Sequence, residues 1–137
     1  MDILIDTNVV LDLAQEREPF VHAADKLLSV EELRLFVTAS AVTDIYYLQK
    51  RYGGDANARA FLGYMLKTLH ILEVTGADCR TALMLPMPDY EDALQAVCAR
   101  RAKCSYIITR DEQHYEGAPV PAITPERFLE EWSAHAN

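Results

Sequence analysis

The sequence predicts an α/β fold in which a mostly parallel central sheet lies between two layers of helices, a three-layer α/β/α arrangement. Short apolar runs alternate along the chain with longer segments whose apolar residues recur at helical spacing. The short runs are of the kind that a parallel sheet buries on both faces, and we expect right-handed crossovers between them. The length of 137 residues suits one hydrophobic core. We therefore expect a single domain over residues 1–137.

Short apolar runs mark the predicted strands. The first begins at Ile3 and ends at Asp6, because a charged residue closes the run. The last is a two-residue run that follows Pro121. The predicted strands are residues 3–5, 33–37, 71–74, 106–109 and 122–123.

Glycine, proline and hydroxyl residues bound the predicted helices. Ser40 is expected to cap the helix that stops at the Gly53–Gly54 pair, because paired glycine interrupts a helix. Thr124 and Pro125 supply a cap and a first-turn proline for the last helix. The predicted helices are residues 8–13, 20–30, 40–53, 56–69, 77–85, 90–103 and a final helix to residue 135.

The composition is that of an ordinary globular chain, with half of the residues hydrophobic and a quarter charged. The net charge of -8 argues against nonspecific nucleic-acid binding, which depends mainly on Lys and Arg. That objection weakens only where the negative charge is gathered in one place and neutralised by bound cations. The positions of the acidic residues suggest such a gathering.

The start of the chain and its cysteines indicate the cellular compartment in which we expect the protein. The start, Met1 and Asp2 followed by a short apolar run, lacks the features of a signal peptide, and no run of 18 apolar residues occurs. Cys79, Cys98 and Cys104 are odd in number and share no CxxC spacing, so free thiols are expected rather than disulfides or a zinc site. We therefore expect a cytoplasmic protein without a membrane span.

Aspartates follow two of the predicted strands. Ligands of an open parallel sheet usually bind beyond the carboxyl ends of its strands. Asp6 ends the first strand and Asp111 follows the fourth, so both enter one crevice if those strands are neighbours. Asp44 lies in the first turns of a helix that begins at the same edge. A carboxylate site at this edge is the expectation.

Three more carboxylates, Asp89, Glu91 and Asp92, crowd the start of the helix at residue 90. Converging carboxylates repel one another, so a fold tolerates them only when a cation neutralises them or some stay protonated. Mg²⁺ and Mn²⁺ take oxygen ligands and commonly share a phosphate oxygen with a substrate. The pattern therefore indicates phosphoryl chemistry on Mg²⁺ or Mn²⁺.

Each carboxylate also has a purely structural interpretation. Asp89 can be an N-cap with Asp92 at the third helical position, and Asp44 can be a solvated residue favoured by the helix dipole. Asp6 and Asp111 can be turn residues that bond their own backbone. Asp12 is expected on the solvent side of its helix.

Other polar and aromatic residues are expected to have no site role. The basic trio Arg100, Arg101 and Lys103 is interpreted as a solvated face and helix-end charge rather than an RNA track. The four histidines show no ligand spacing. Four aromatic residues are expected to pack in the core: Tyr46, Tyr47, Phe61 and Tyr64.

Three segments resemble PIN domains. The run Ile-Leu-Ile-Asp-Thr-Asn-Val-Val-Leu-Asp at 3–12 resembles the family's opening strand and its aspartate. Asp-Tyr-Glu-Asp-Ala-Leu at 89–94 resembles its central acidic helix start, and Tyr-Ile-Ile-Thr-Arg-Asp at 106–111 its late strand. Together with residues 40–47 the resemblance covers nearly the whole chain in the right order.

The resemblance implies a metal-dependent ribonuclease that hydrolyses RNA phosphodiester bonds with Mg²⁺ or Mn²⁺. It further implies a VapC-like toxin of a toxin–antitoxin pair, with an antitoxin protein as partner and a homodimer as the assembly. The family's acidic ligands fall here on Asp6, Asp44, Asp92 and Asp111, with Asp89 as an additional metal-binding carboxylate. Position 44 is usually Glu in the active toxins, which puts a second metal in doubt.

The implied reaction is in-line attack on the phosphodiester by a metal-activated water. Thr109 would orient a ligand or water, Thr7 and Asn8 would hold the phosphate or a carboxylate, and Arg110 is a candidate phosphate contact. Two alternatives stay open. Phosphatases of the haloacid-dehalogenase type need a second aspartate where Asn8 stands, and a PIN-like scaffold that binds RNA or protein without catalysis is favoured by the short side chain of Asp44.

Overall fold

A five-stranded sheet, parallel throughout, forms the centre of the protein. The structure is a computed structural model that describes residues 1–135. The strand order is β3-β2-β1-β4-β5, and every adjacent pair is parallel. The strands are β1 (Asp2–Ile5), β2 (Arg34–Thr38), β3 (His70–Leu72), β4 (Tyr106–Ile108) and β5 (Ala122–Ile123). The predicted α/β class with a parallel sheet is confirmed.

The helices follow the strands in the predicted alternation. Thr38, the last residue of β2, caps α3 by accepting a hydrogen bond from the Ala41 amide at 3.3 Å, so the expectation that Ser40 is the cap was wrong. Gly54 adopts φ 88°, a left-handed value that favours glycine, and separates α3 from α4. The helices are α1 (Thr7–Ala14), α2 (Val21–Leu28), α3 (Ala39–Gly53), α4 (Asp55–Thr68), α5 (Gly76–Ala82), α6 (Tyr90–Arg101) and α7 (Pro125–His135).

Several elements are shorter in the structure than predicted. β3 ends at Leu72 and is shorter than predicted. α5 ends at Ala82, before the proline-containing segment that precedes α6. After β4 the chain forms a short 3₁₀ turn over Glu112–Tyr115. That turn brings Tyr115 back against α6.

β1 lies in the middle of the sheet and is buried on both of its faces. Ile3 and Ile5 point into a core built with α1, α2, α3, α4 and α7, whereas Leu4 points into a second core built mainly with α5 and α6. All three side chains are almost completely buried. This explains why the first strand is a continuous apolar run and confirms helical layers on both faces.

The register of β1 and β4 sets two polar residues side by side. Ile5 is paired with Ile108, and the Asp6 amide donates to the Ile108 carbonyl at 2.9 Å. Asp6 and Thr109 therefore leave the sheet together at its carboxyl edge. The two strands are neighbours, as the placement of the aspartates required.

An ion pair between buried Asp78 and partly exposed Arg101 joins α5 to α6. The Arg101 Nε donates to the two carboxylate oxygens of Asp78 at 3.0 and 3.1 Å, and Arg101 Nη2 donates to Asp78 Oδ2 at 2.9 Å. Asp78 also forms a capping box with Thr75 at the start of α5. Arg101 therefore has a structural contact although its side chain is 39% exposed, and Arg100 is exposed as well.

Within residues 1–135, no helix has the length and apolar character needed to cross a membrane. The three cysteines are free thiols, two of them buried.

Candidate active site

The carboxylate of Asp6 is held by donors from three parts of the chain. Its Oδ1 accepts from the Thr7 amide at 2.8 Å and from Gln95 Nε2 at 3.1 Å, and its Oδ2 accepts from Thr109 Oγ1 at 2.9 Å. Asp6 is also the N-cap of α1 and is only 7% exposed. The local-turn interpretation is thus correct for one bond, but long-range donors fix the side chain.

Gln95 and Tyr115 belong to this arrangement and were missed in the sequence. The Gln95 amide also donates to the Tyr115 hydroxyl at 3.2 Å, and both side chains are buried. Burial, and then the negative charges of Asp6 and Asp92, raises the pKa of Tyr115. The available signal was that Gln95 is the only polar residue in the run Ala-Leu-Gln-Ala-Val-Cys-Ala at 93–99.

A cavity of about 430 Å³ opens in front of Asp6. Thr7 and Asn8 from α1 contribute to it, as predicted for residues near a bound phosphate. Its lining also includes Tyr47, which is 61% exposed, so the expectation that Tyr47 packs in the core was wrong. Four carboxylates line the cavity: Asp6, Asp44, Glu91 and Asp92.

Asp92 sits in the first turn of α6 and is half-buried. Burial raises the pKa of Asp92 to about 6, and the negative charges of Asp6 and Asp89 add to the shift. The carboxylates of β1 and α6 therefore repel each other across the cavity, as close like charges must.

Glu91 and Asp44 both line the cavity, Glu91 from α6 and Asp44 from α3. A hydrogen bond with Asp44, followed by burial and by the negative charges of Asp44, Asp89 and Asp92, raises the pKa of Glu91 to about 7. Glu91 therefore holds its proton more readily than an ordinary glutamate does. The carboxylate of α6 lies against that of α3 inside the same cavity.

Two predicted site residues lie outside the cavity lining. Asp89 caps α6, where its carboxylate accepts from the Asp92 amide at 3.0 Å, so the N-cap interpretation is confirmed. The Asp111 side chain is 56% exposed and lies 3.9 Å from His114 Nδ1. His114 itself lines the cavity, although the spacing of the histidines gave no sign of it. The metal-binding roles of Asp89 and Asp111 stay predictions.

Asp12 and Arg110 form a buried pair behind the site. Asp12 is 1% exposed, with Oδ2 3.1 Å from Arg110 Nε and Oδ1 3.6 Å from an Arg17 Nη, so its expected solvent position was wrong. The Arg110 guanidinium lies 4.2 Å from the Phe20 ring centroid. Because Arg110 contacts Asp12 and Phe20 and does not line the cavity, it does not serve as the expected phosphate contact.

The Arg110→Met variant is expected to lose stability rather than activity. Burial already raises the pKa of Asp12 despite Arg110 and Arg17, and without Arg110 the charged carboxylate has less compensation. We expect a loss on the order of 2 kcal/mol, seen as a lower midpoint in urea unfolding. The double variant Arg110→Met, Asp12→Leu should regain most of it. An unchanged midpoint in the single variant would contradict a structural role.

The cavity fits a hard cation in the chemistry of its donors. Its carboxylate oxygens are the ligands that Mg²⁺ and Mn²⁺ prefer, and buried Gln95 Oε1 beside Asp6 has no hydrogen-bond partner within the described part of the chain. Among residues 1–135, however, no three His, Cys, Asp or Glu side chains converge as a complete metal-binding group. The donor set therefore suits an ion that keeps much of its water, as Mg²⁺ usually does.

The sequence and fold are similar to those of known proteins. The chain is 24% identical over 139 residues to "Ribonuclease VapC1" of Aquifex aeolicus (strain VF5), covering 96% of this chain and 95% of that one. VapC20 of Mycobacterium tuberculosis, described as a sarcin-ricin loop cleaving toxin, superposes with a TM-score of 0.70 at 15% identity, over 85% of this chain and 95% of that one. A toxin–antitoxin complex from Klebsiella pneumoniae gives 0.68 at 20% identity, over 90% and 97%.

At these identities the solved structures establish the fold alone. The family follows from a separate match, in which the PIN domain model covers residues 2–113. That range includes β1 to β4, Asp6 and every other residue of the cavity lining except His114. Since it also spans far more than half of the chain, this protein belongs to the PIN-domain family.

Proposed function

We propose that the protein is a ribonuclease that hydrolyses RNA phosphodiester bonds with Mg²⁺ or Mn²⁺, and that it is the VapC-like toxin of a toxin–antitoxin pair. The observation that carries the proposal is the gathering of four carboxylates around one cavity at the carboxyl edge of the sheet. The named relative, a ribonuclease aligned over nearly the whole chain, supports the same reaction.

Asp6 and Asp92 would hold the ion, with Asp44 and Glu91 beside them and Asp111 at the rim. The bound ion would lower the pKa of its water and stabilise the leaving oxygen. Thr109, Gln95 and the Thr7 amide keep Asp6 in one orientation. The raised pKa of Glu91 would reduce the negative charge that RNA meets near neutral pH.

Toxin–antitoxin complexes among the similar structures support an antitoxin partner. We propose this partner, a homodimeric assembly and the cytoplasm as the compartment. The second candidate function is a scaffold that binds RNA or protein without cleaving it, which the incomplete three-ligand geometry favours. The two functions differ in whether RNA is hydrolysed when metal is added.

The purified protein is expected to degrade RNA only when Mg²⁺ or Mn²⁺ is present, and EDTA should abolish the reaction. Cleavage of a labelled RNA on a gel measures it. Asp111→Asn should lower the rate, whereas Asp25→Asn, the same change at an exposed position of α2, should leave it unchanged. Cleavage that survives EDTA would indicate a contaminating nuclease, and RNA binding without cleavage would favour the scaffold.

A further inference from the structure

One face of α3 lines the cavity beyond its carboxylates. Asp44, Tyr47, Leu48 and Arg51 recur at positions i, i+3, i+4 and i+7, which places them along a single stripe of the helix. All four belong to the lining of the same cavity. The stripe therefore changes from acidic to aromatic to cationic as it leaves the site.

Tyr47 and Arg51 are both free to meet a ligand. The Tyr47 side chain is 61% exposed and packs edge-on against Tyr46 at 5.1 Å between ring centroids. Arg51 is exposed and lies in a cavity lined by carboxylates, yet none of the ion pairs among residues 1–135 includes it. Nearby on α4, Arg59 is paired with Asp55 at 2.9 Å. Arg51 thus retains a guanidinium for an anion outside the protein.

We propose that Tyr47 and Arg51 form a subsite for single-stranded RNA next to the phosphodiester that is cut. The Tyr47 ring stacks on an unpaired base, and the Arg51 guanidinium contacts a neighbouring phosphate. This subsite rests on the proposed ribonuclease function and names the form of its substrate. Aromatic rings and cations in alternation are how proteins bind single strands without reading sequence.

Charge and spacing favour RNA over a protein partner on this stripe. Tyr47 and Arg51 are one helical turn apart, about 6 Å along the axis, which is on the scale of one nucleotide. A partner helix would need a continuous apolar face, but Leu48 is the only aliphatic residue among the four. In a chain with net charge -8, a cation beside the acidic cavity offsets repulsion of the strand.

Binding of a fluorescein-labelled single-stranded RNA, measured by anisotropy, tests the subsite. The measurements use an Asp92→Asn background in Mg²⁺ so that the probe stays intact. Tyr47→Leu should raise the Kd about tenfold through loss of stacking. Tyr47→Phe, which keeps the ring, and Tyr52→Leu, which removes an equally exposed tyrosine outside the cavity, should change it by no more than about twofold.

The salt dependence tests the phosphate contact. Arg51→Gln should reduce the slope of log K against log salt concentration by about 0.7, the value for one phosphate of a single strand. Lys50→Gln removes the same charge from the adjacent, outward position and should leave the slope unchanged. Binding of the same RNA as a duplex should not respond to Tyr47→Leu, since its bases are stacked inside the helix.

Equal affinities of the Tyr47→Leu and Tyr52→Leu proteins, or equal salt slopes for Arg51→Gln and Lys50→Gln, would overturn the subsite and leave the stripe to a protein contact. Failure of the subsite can be told apart from failure of the ribonuclease proposal. Metal-dependent cleavage by the Tyr47→Leu protein with an unchanged KM would refute the subsite alone, whereas absence of any cleavage by the wild type would refute the reaction.

Discussion

Asp92→Asn is expected to abolish RNA cleavage and, in metal-free buffer at pH 8, to raise the melting temperature. Asp92 is half-buried and faces the negative charge of Asp6, and these effects raise its pKa to about 6. The charged form is therefore unfavourable in the folded protein, and the neutral amide removes that cost. A gain of about 3 kcal/mol is the upper limit for a shift of this size, and solvent screening of the half-buried group lowers it.

The pH dependence has a defined sign. The pKa of Asp92 is higher in the folded protein than its ordinary value of 3.8, so its contribution to stability is complete below that value and is lost as the pH rises through about 6. Wild type in EDTA should consequently melt at a lower temperature at pH 8 than at pH 5. Asp92→Asn should flatten this dependence, whereas Asp25→Asn should preserve it.

Added metal should make the wild type melt at a higher temperature than Asp92→Asn, the reverse of the order in EDTA. An ion that binds only the folded wild type contributes RT ln(1 + [M]/Kd), about 2.7 kcal/mol at a hundredfold excess over Kd, and Asp92→Asn should forfeit most of it. Thermal melts with EDTA and with Mg²⁺ or Mn²⁺ measure both effects. A lower melting temperature of Asp92→Asn in EDTA, with no metal-induced shift in wild type, would contradict the site.

Asp6→Asn provides the matched contrast within the same cavity. The Asp6 carboxylate accepts three hydrogen bonds. In Asp6→Asn the amide N–H₂ group replaces one acceptor oxygen, so at least one of these donors would face another donor. This variant is expected to be less stable in EDTA by on the order of 1 to 3 kcal/mol. Opposite signs for Asp6→Asn and Asp92→Asn would separate the anchored carboxylate from the repelled one.

Arg101→Met is expected to destabilise the protein by about 3 kcal/mol, the largest stability effect outside the site. It removes three hydrogen bonds from Asp78 and leaves a buried carboxylate with the Thr75 cap and the weak Cys98 thiol donor. The melting temperature should fall by roughly 10 °C for a chain of this size. Arg100→Met, the neighbouring exposed arginine, should change little.

The stability of the protein at acid pH should depend on the same Arg101–Asp78 ion pair. The Arg101 hydrogen bonds lower the pKa of Asp78 to about 2, so the pair stabilises the protein fully above 3.8 and its contribution is lost as the pH falls through about 2. Arg101→Met should weaken this acid dependence. If Arg101→Met and Arg100→Met melt alike at neutral pH, the ion pair does not secure α5 to α6.

The strands and the place of Asp6 could be predicted because their causes are local. A strand buried on both faces must be apolar throughout, and a charged residue directly after it must leave the core, as Asp6 does. Asp44 and Asp92 followed from helix starts at the same edge. These inferences need only the order of residues within one segment.

The remaining contacts depend on pairs that are far apart in the chain. Asp12 is buried because Arg110, supplied after β4, lies beside it. Nothing within α1 indicates this partner, so the helical pattern alone suggested exposure. Asp111 stays outside the cavity lining while His114 enters it, because the chain turns into the 3₁₀ segment immediately after Asp111. Gln95 acquires its role only through Asp6 and Tyr115.

β1 lies in the middle of the sheet, so it cannot complete its pairing until strands made much later in translation are present. The ribosome makes β1 before either of its neighbours in the sheet; β4 ends at Ile108, and the donor Thr109 lies 103 residues after Asp6. At roughly 5 to 20 residues per second, translation of that stretch takes on the order of 5 to 20 s. During this time the nascent chain has neither a complete sheet nor an anchored Asp6. If the protein cleaves RNA as proposed, the anchored form of Asp6 is absent from the nascent chain until Thr109 has emerged from the ribosome.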